Sequence, residues 1–122
     1  MRVLLTGGAG YIGTHTVVEM CKAGHDVVVV DNFSNSSPKV MARVEELTGK
    51  KIPLYTADVA DEAAMDRLFA AEKIDAVVHF AGLKAVGESV RKPLEYYSNN
   101  LDSTFVLLRT MKKAGVKRLI FS

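Results

Sequence analysis

The sequence predicts an α/β chain built as a doubly wound parallel sheet with helices on both faces. Three observations predict it. Short apolar runs alternate with longer amphipathic stretches along all 122 residues, in the order βαβαβαβαβ. Val27–Val30 is four valines in a row, the composition of a strand covered on both faces. A glycine-rich stretch, Gly7–Gly13, stands between the first strand and the first helix. Right-handed crossovers between parallel strands then leave the doubly wound arrangement as the expected topology.

Each element has a local cause. Arg2–Thr6 is an apolar run that reads as a strand. Ile12–Ala23 reads as a helix, with Gly24 placed to end it as the residue that accepts a left-handed backbone. Asp26–Val30 is the second strand, with Asp31 at its end, and Asn32–Pro38 is polar and turn-rich. Lys39–Leu47 is a helix stopped by Gly49, and Pro53–Ala57 a strand. Asp61–Glu72 is a helix with Asp61 as its N-cap, since an aspartate there accepts from an otherwise unpaired N–H. Asp75–Phe80 is the fourth strand, Leu94–Ala114 a long helix with Gly115 past its end, and Lys117–Phe121 the fifth strand. No repeat, linker or low-complexity tract divides the chain, so residues 1–122 are expected to form one domain.

Composition excludes several classes. Hydrophobic residues make up 48% of the chain, enough for a real core. Sixteen basic against fourteen acidic residues leave a net charge of +2, too weak to argue for nucleic acid. The single cysteine, Cys21, excludes an internal disulfide and a Cys-rich zinc site; it fits a reducing setting and reads as a small packing residue. His15, His25 and His79 have no metal-ligand spacing, and His79 reads as strand-end structure. Val27–Val30 and Ala76–Val78 are strongly apolar runs, and no apolar run in the sequence approaches the ~20 residues that span a bilayer. A soluble, cytoplasmic chain is expected, with neither nucleic acid nor membrane as partner.

The chemistry-bearing residues gather where strands end. Gly7, Gly10 and Gly13 form G-x-x-G-x-x-G: the first for the tight turn, the second for close approach of backbone to a pyrophosphate, the third for helix–sheet packing. The unpaired N–H groups at the helix start would hold the anion. No Gly-Lys-Ser/Thr follows, which argues against a P-loop. Asp31 lies 18 residues after Gly13, near the ~20 at which a carboxylate accepts both hydroxyls of an adenosine ribose. That carboxylate would repel a 2′-phosphate, and Asn32 rather than arginine stands beside it, so NAD is expected over NADP. Asp58 has two readings, a bond to the adenine amino group with Val59 offering its backbone, or a cap for the following helix. After His79-Phe80 come Ala81 and Gly82, small enough to let backbone lie beside a cofactor at the carboxyl edge.

These motifs carry a resemblance. Thr6–Gly13, Asp31-Asn32 and Asp58–Asp61 resemble the extended short-chain dehydrogenase/reductase family, a Rossmann-like NAD-binding fold. More narrowly, His79–Val90, Pro93-Leu94 and Tyr96-Tyr97-x-Asn99-Asn100 are similar to the UDP-glucose 4-epimerases, with the likeness running the whole length of the chain and covering roughly a third of such an enzyme. The resemblance implies that Tyr11 and Ile12 meet the pyrophosphate through backbone amides. It implies that Asp31, Asn32, Phe33, Asn35 and Ser36 surround the adenosine ribose, and that Phe80 through Lys84 line the ribose and nicotinamide side. Asn99 would reach the cofactor from the long helix, and Ser122 would lie near the nicotinamide. Lys84 alone would read as a solvated loop lysine; within the motif it reads as a donor to the nicotinamide ribose. The stripe Leu94, Tyr97, Leu101, Phe105, Leu108 has helical 3–4 spacing and reads either as core or as the dimer-forming helix that the family uses.

The implied function is the cofactor-binding portion of an isomerase of galactose metabolism that interconverts UDP-galactose and UDP-glucose by transient oxidation at C4, with NAD as cofactor, a UDP-sugar as substrate and a homodimer as the complete assembly. Two alternatives stay open: a non-catalytic NAD- or nucleotide-binding fragment, and another NAD-dependent sugar-nucleotide epimerase or dehydratase. The family's Tyr-x-x-x-Lys is not among these residues, because none of Tyr11, Tyr55, Tyr96 and Tyr97 has a lysine four positions on. No catalytic residue and no metal ligand is therefore assigned, and this stretch by itself is expected to be inactive. Leu119-Ile120-Phe121 forms an apolar strand with no following helix to cover it, so an N-terminal portion truncated after the fifth strand is expected.

Overall fold

The computed structural model describes residues 1–7, 11–32, 39–80 and 93–121. Five strands form one parallel sheet in the order β3-β2-β1-β4-β5: β1 (Arg2–Thr6), β2 (Asp26–Asp31), β3 (Leu54–Thr56), β4 (Ala76–His79) and β5 (Arg118–Phe121). Between them run α1 (Tyr11–Lys22), α2 (Lys39–Thr48), α3 (Glu62–Glu72) and α4 (Pro93–Ala114). The chain winds outward from β1 through β2 to β3, then crosses back to lay β4 on the other side of β1. That reversal makes the doubly wound fold and leaves a switch point between β1 and β4.

Side chains alternate across the pleat and so feed two cores. Leu4, Val28, Val30 and Val77 face one layer, where Met65, Leu68 and Phe69 of α3 and Val106, Leu107 and Met111 of α4 meet them. Val3, Leu5, Val27, Val29 and Val78 face the other, against Val17 and Cys21 of α1 and Met41 and Val44 of α2. Continuous valine in β2 is thus the consequence of cover on both sides. Leu4 and Leu5 are fully buried, each contributing on the order of 1.5–3 kcal/mol of transfer free energy.

Element ends move by one residue from the sequence reading. β2 continues to Asp31, α1 begins at Tyr11, and α4 begins at Pro93, a residue suited to a first helical turn where no N–H is needed. β3 is shorter than expected. Its bonds to β2 nonetheless reach one residue further each way: Val29 N–H donates to the Pro53 carbonyl at 2.9 Å and Ala57 N–H to the Asp31 carbonyl at 3.1 Å. Pro53 has no N–H to return. Gly24 and Gly115 hold φ of 89° and 75°, as helix-ending residues in the left-handed region do.

Of the stripe proposed on α4, side chains are described only at Phe105 and Leu108; those of Leu94, Tyr97 and Leu101 lie outside the described residues. Phe105 and Leu108 are exposed, while Ser103, Val106, Leu107, Thr110 and Met111 form the buried face. The core reading of Phe105 and Leu108 is therefore corrected. The buried stripe contains serine and threonine, which hid it from a count of apolar residues; Thr110 disposes of its hydroxyl on the Val106 carbonyl at 2.8 Å. Among the described residues no helix is long and apolar enough to cross a membrane.

Candidate functional site

In a parallel sheet every strand ends at the same edge, so the residues that follow β1 to β4 come together there. Gly7 leaves β1 at φ 73° while its N–H still donates to the Val30 carbonyl at 2.8 Å. The strand's ladder and a left-handed turn meet in one residue, which is the reason for glycine at this point. α1 starts four residues later, and its first turn carries no acidic side chain. The N–H groups of Tyr11, Ile12 and Gly13 open the helix, where the backbone has no carbonyl of its own to bond. Gly13 is buried, and Ile12 is 63% exposed.

Asp31 is 8% exposed at the end of β2, paired in register with Thr56 of β3. The β1–β2 pairing, which sets Thr6 opposite Val30, brings Asp31 level with Gly7. Asn32 follows Asp31, exposed. Asp58 does not end β3 but stands two residues beyond it, exposed, in a tight turn. Its Oδ1 accepts from Ala60 N–H at 2.9 Å, and its carbonyl accepts from Asp61 N–H at 2.9 Å. The helix cap is Asp61, whose carboxylate accepts from Ala64 N–H at 3.2 Å; the reading of Asp58 as that cap is corrected. Val59 buries its side chain in the α3/α4 core, which leaves only its backbone to face outward.

Phe80 is half-buried against the α1/α2 core. Its N–H donates to both oxygens of Thr6, the carbonyl at 2.8 Å and the hydroxyl at 3.0 Å. Thr6 Oγ1 also lies 2.5 Å from His79 Nδ1, and both side chains are buried. Sequence reading placed His79 at a strand end but missed this pair; the available signal was a polar residue closing each of two otherwise apolar strands. Asn99 lies in the first half of α4. Gly10, Phe33, Asn35, Ser36, Ala81, Gly82, Lys84 and Ser122 lie outside the described residues.

The opposite edge of the sheet is occupied by its own charges. Glu72 accepts from the Arg2 guanidinium and from the Tyr55 hydroxyl. Those two donors, the tyrosine first, hold the Glu72 carboxyl below its usual range, and the same bond pushes the Tyr55 phenol up. Asp75 accepts from Arg2 N–H at 2.8 Å. A cavity of about 550 Å³ opens nearby between the C-terminal ends of α3 and α4, lined by Phe69, Ala70, Ile74 and Thr110 among others. It faces away from the strand ends that carry the glycine turn and Asp31. Burial raises the Cys21 thiol, which packs in the α1/α2 core and is poorly suited to attack.

Known proteins resemble this arrangement closely. The family model described as the NAD dependent epimerase/dehydratase family matches residues 3–122. The UDP-glucose 4-epimerase of Bacillus subtilis is 57% identical over 122 residues, covering all of this chain and 36% of that protein. The one from Schizosaccharomyces pombe is 54% identical over 120 residues, covering 98% of this chain and 34% of its own length. Among solved structures, the UDP-glucose 4-epimerase from Bifidobacterium longum in complex with NAD+ and UDP superimposes with a TM-score of 0.98 at 61% identity. It is matched over 100% of this chain and 36% of its own. The chain thus spans about a third of the length of the curated relatives it matches. With the glycine turn, the acid-free helix start and Asp31 all on one sheet edge, and a family model matching nearly every residue, the chain belongs to the NAD dependent epimerase/dehydratase family.

Proposed function

We propose that residues 1–122 are the NAD-binding portion of a UDP-glucose 4-epimerase, which interconverts UDP-galactose and UDP-glucose by transient oxidation at C4. The observation that carries this is the placement of Asp31, at the end of β2, level with the Gly7 turn that leaves the neighbouring β1. The residues present fit the cofactor. Amides of Tyr11, Ile12 and Gly13 suit a pyrophosphate, with Gly7 and Gly10 giving the backbone room, and no first-turn carboxylate opposes the charge. Asp31 and Asn32 suit an adenosine ribose, joined by Phe33, Asn35 and Ser36. Asp58 and Val59 suit the adenine through carboxylate and backbone. Phe80, Ala81, Gly82, Lys84 and Asn99 complete the ribose and nicotinamide side, with Ser122 beside it.

When bound, NAD supplies the hydride acceptor and donor at the sugar's C4. The work of this chain is to hold and orient. Helix-start amides fix the anion, the Asp31 carboxylate favours a ribose bearing a free 2′-hydroxyl, and the rigid sheet keeps both in register. The acid–base residues and the UDP-sugar contacts belong to the whole protein, where the family's Tyr-x-x-x-Lys would act. Bifidobacterium longum and Stenotrophomonas maltophila relatives solved with NAD and UDP-based ligands support this reading.

A homodimer is part of the proposal, because Phe105 and Leu108 put an apolar strip on the outside of α4. So is a cytoplasmic setting, which a reduced, buried Cys21 suits. The test is made on the full-length protein. NAD released on denaturation should approach one per chain, and UDP-galactose should be converted to UDP-glucose without added nicotinamide. A protein that binds no NAD, or leaves C4 untouched, overturns the proposal. Leu108→Glu should shift the sedimenting species from dimer to monomer; an unchanged species removes α4 from the interface.

A further inference from the structure

We propose that Thr56 is a further binding residue for the cofactor, its hydroxyl donating to an adenosine ribose oxygen whose own proton goes to Asp31. The proposal rests on the NAD reading above and adds a residue outside both the glycine motif and Asp31-Asn32. Thr56 is the last residue of β3, and the sheet pairs it with Asp31, the last residue of β2. The two side chains lie on one face. Along β2, Val29 joins the α1/α2 core and Val30 the α3/α4 core, so alternation returns Asp31 to the α1/α2 side. Along β3, Leu54 packs on the α1/α2 core while Tyr55 and Ala57 pack on the other, which puts Thr56 on the same side as Asp31. Neighbouring strands run about 4.8 Å apart, so one ligand group can meet both residues.

Burial and chemistry divide the work between them. Asp31 is 8% exposed. Thr56 is exposed, and among the described residues its hydroxyl has no hydrogen-bond partner. A carboxylate only accepts, so it takes protons from ribose hydroxyls and leaves their oxygen lone pairs unmet. A threonine hydroxyl can donate to such an oxygen. It also brings no charge to the pair. An acidic residue at this place would repel Asp31, and a basic one would pair with it and draw it from the ribose. A cation there would further favour a 2′-phosphate. Position 56 therefore bears on the preference for NAD over NADP as well as on affinity.

The test titrates the cofactor-stripped full-length protein with NAD and NADP by calorimetry, with Tm measured alongside. Thr56→Val keeps the shape and the strand preference and loses the hydroxyl; Thr56→Ser keeps the hydroxyl. NAD should bind about threefold or more weakly to Thr56→Val and within about twofold of the parent to Thr56→Ser, while the valine variant keeps the parent's Tm. Made on Asp31→Ala, the valine change should cost less than about 1.5-fold, because the ribose is no longer held between the two residues. Parent-like affinity in Thr56→Val, equal losses in valine and serine, or an undiminished loss on Asp31→Ala overturns the assignment. Thr56→Lys should lower the ratio of NAD to NADP affinity by about tenfold or more; an unchanged ratio counts against the proposal. A readout without substitution guards against variants that do not fold. In the parent, NAD should shift the Thr56 methyl resonance and leave in place that of Thr48, the last residue of α2; an unshifted Thr56 counts against the proposal. If the parent binds no NAD, the cofactor reading fails and Thr56 with it. If the parent and Thr56→Val bind NAD equally, only Thr56 is removed.

Discussion

The two edges of the sheet are made by the same strands and treat their polar groups in opposite ways. At the edge where the strands begin, charge is consumed internally. Glu72 takes Arg2 and Tyr55, and Asp75 takes the Arg2 amide. At the edge where they end, backbone amides are presented at the start of α1, Gly7 takes a conformation that other residues resist, and Asp31 closes a strand of valines. One edge spends its hydrogen bonds on stability, and the other holds donors and a carboxylate in place for a ligand. The same sheet serves both because its middle is covered by apolar side chains on both faces and behaves as a rigid spacer.

Substitutions can break or sharpen that contrast. The largest effect is expected in the shared middle: Leu4→Ala removes a fully buried side chain from the central strand and should cost about 2–5 kcal/mol in denaturant unfolding. NAD affinity of the molecules still folded should stay near the parent's. Next, Asp31→Ala should weaken NAD binding by about 1–3 kcal/mol, read by calorimetry, as charge-assisted bonds to the ribose are lost. Unchanged affinity removes Asp31 from the site and erases the functional half of the contrast.

Glu72→Gln tests the other edge. It should lower stability by about 1 kcal/mol while leaving NAD affinity alone, because Glu72 is held by Arg2 at the start of β1, the opposite end of that strand from the Gly7 turn. A variant that instead loses NAD would join the two edges into one unit. The smallest effect concerns Glu62, which binds Arg109 and Lys113 of α4, each at 2.9 Å. Those cations hold its carboxyl down from 4.5 to about 2. A carboxyl lowered in the folded state stabilises it above the unfolded value, and that contribution fades as pH falls from about 4.5 to about 2. Acid titration of Tm should therefore flatten across that window in Glu62→Gln, and the difference should shrink in high salt, since the pair is exposed. An identical acid profile in the variant would show that Glu62 adds nothing measurable.

Much of the fold was legible because local rules and global packing agree here. Strand–helix alternation, Gly24, Gly49 and Gly115 at helix ends, and Asp61 at a helix start all reappear in place. Where reading failed, a local count met a tertiary choice. Phe105 and Leu108 are as hydrophobic as any core residue, yet α4 turns Ser103 and Thr110 inward, because a threonine can return its hydroxyl to its own helix. Asp58 and Asp61 are chemically alike and three residues apart, and only the direction of the turn made the second one the cap.

The sequence by itself determined that the strands are parallel, that both faces are covered, and that Gly7 and Asp31 terminate β1 and β2. Periodicity, backbone freedom and charge are properties of short segments, and short segments are what a sequence displays. Only the tertiary structure decided that β4 lies beside β1, so that Thr6 and His79, 73 residues apart, come to share a hydrogen bond. A hydrogen bond requires two groups at a defined separation, and strand order, which no single segment encodes, sets that separation.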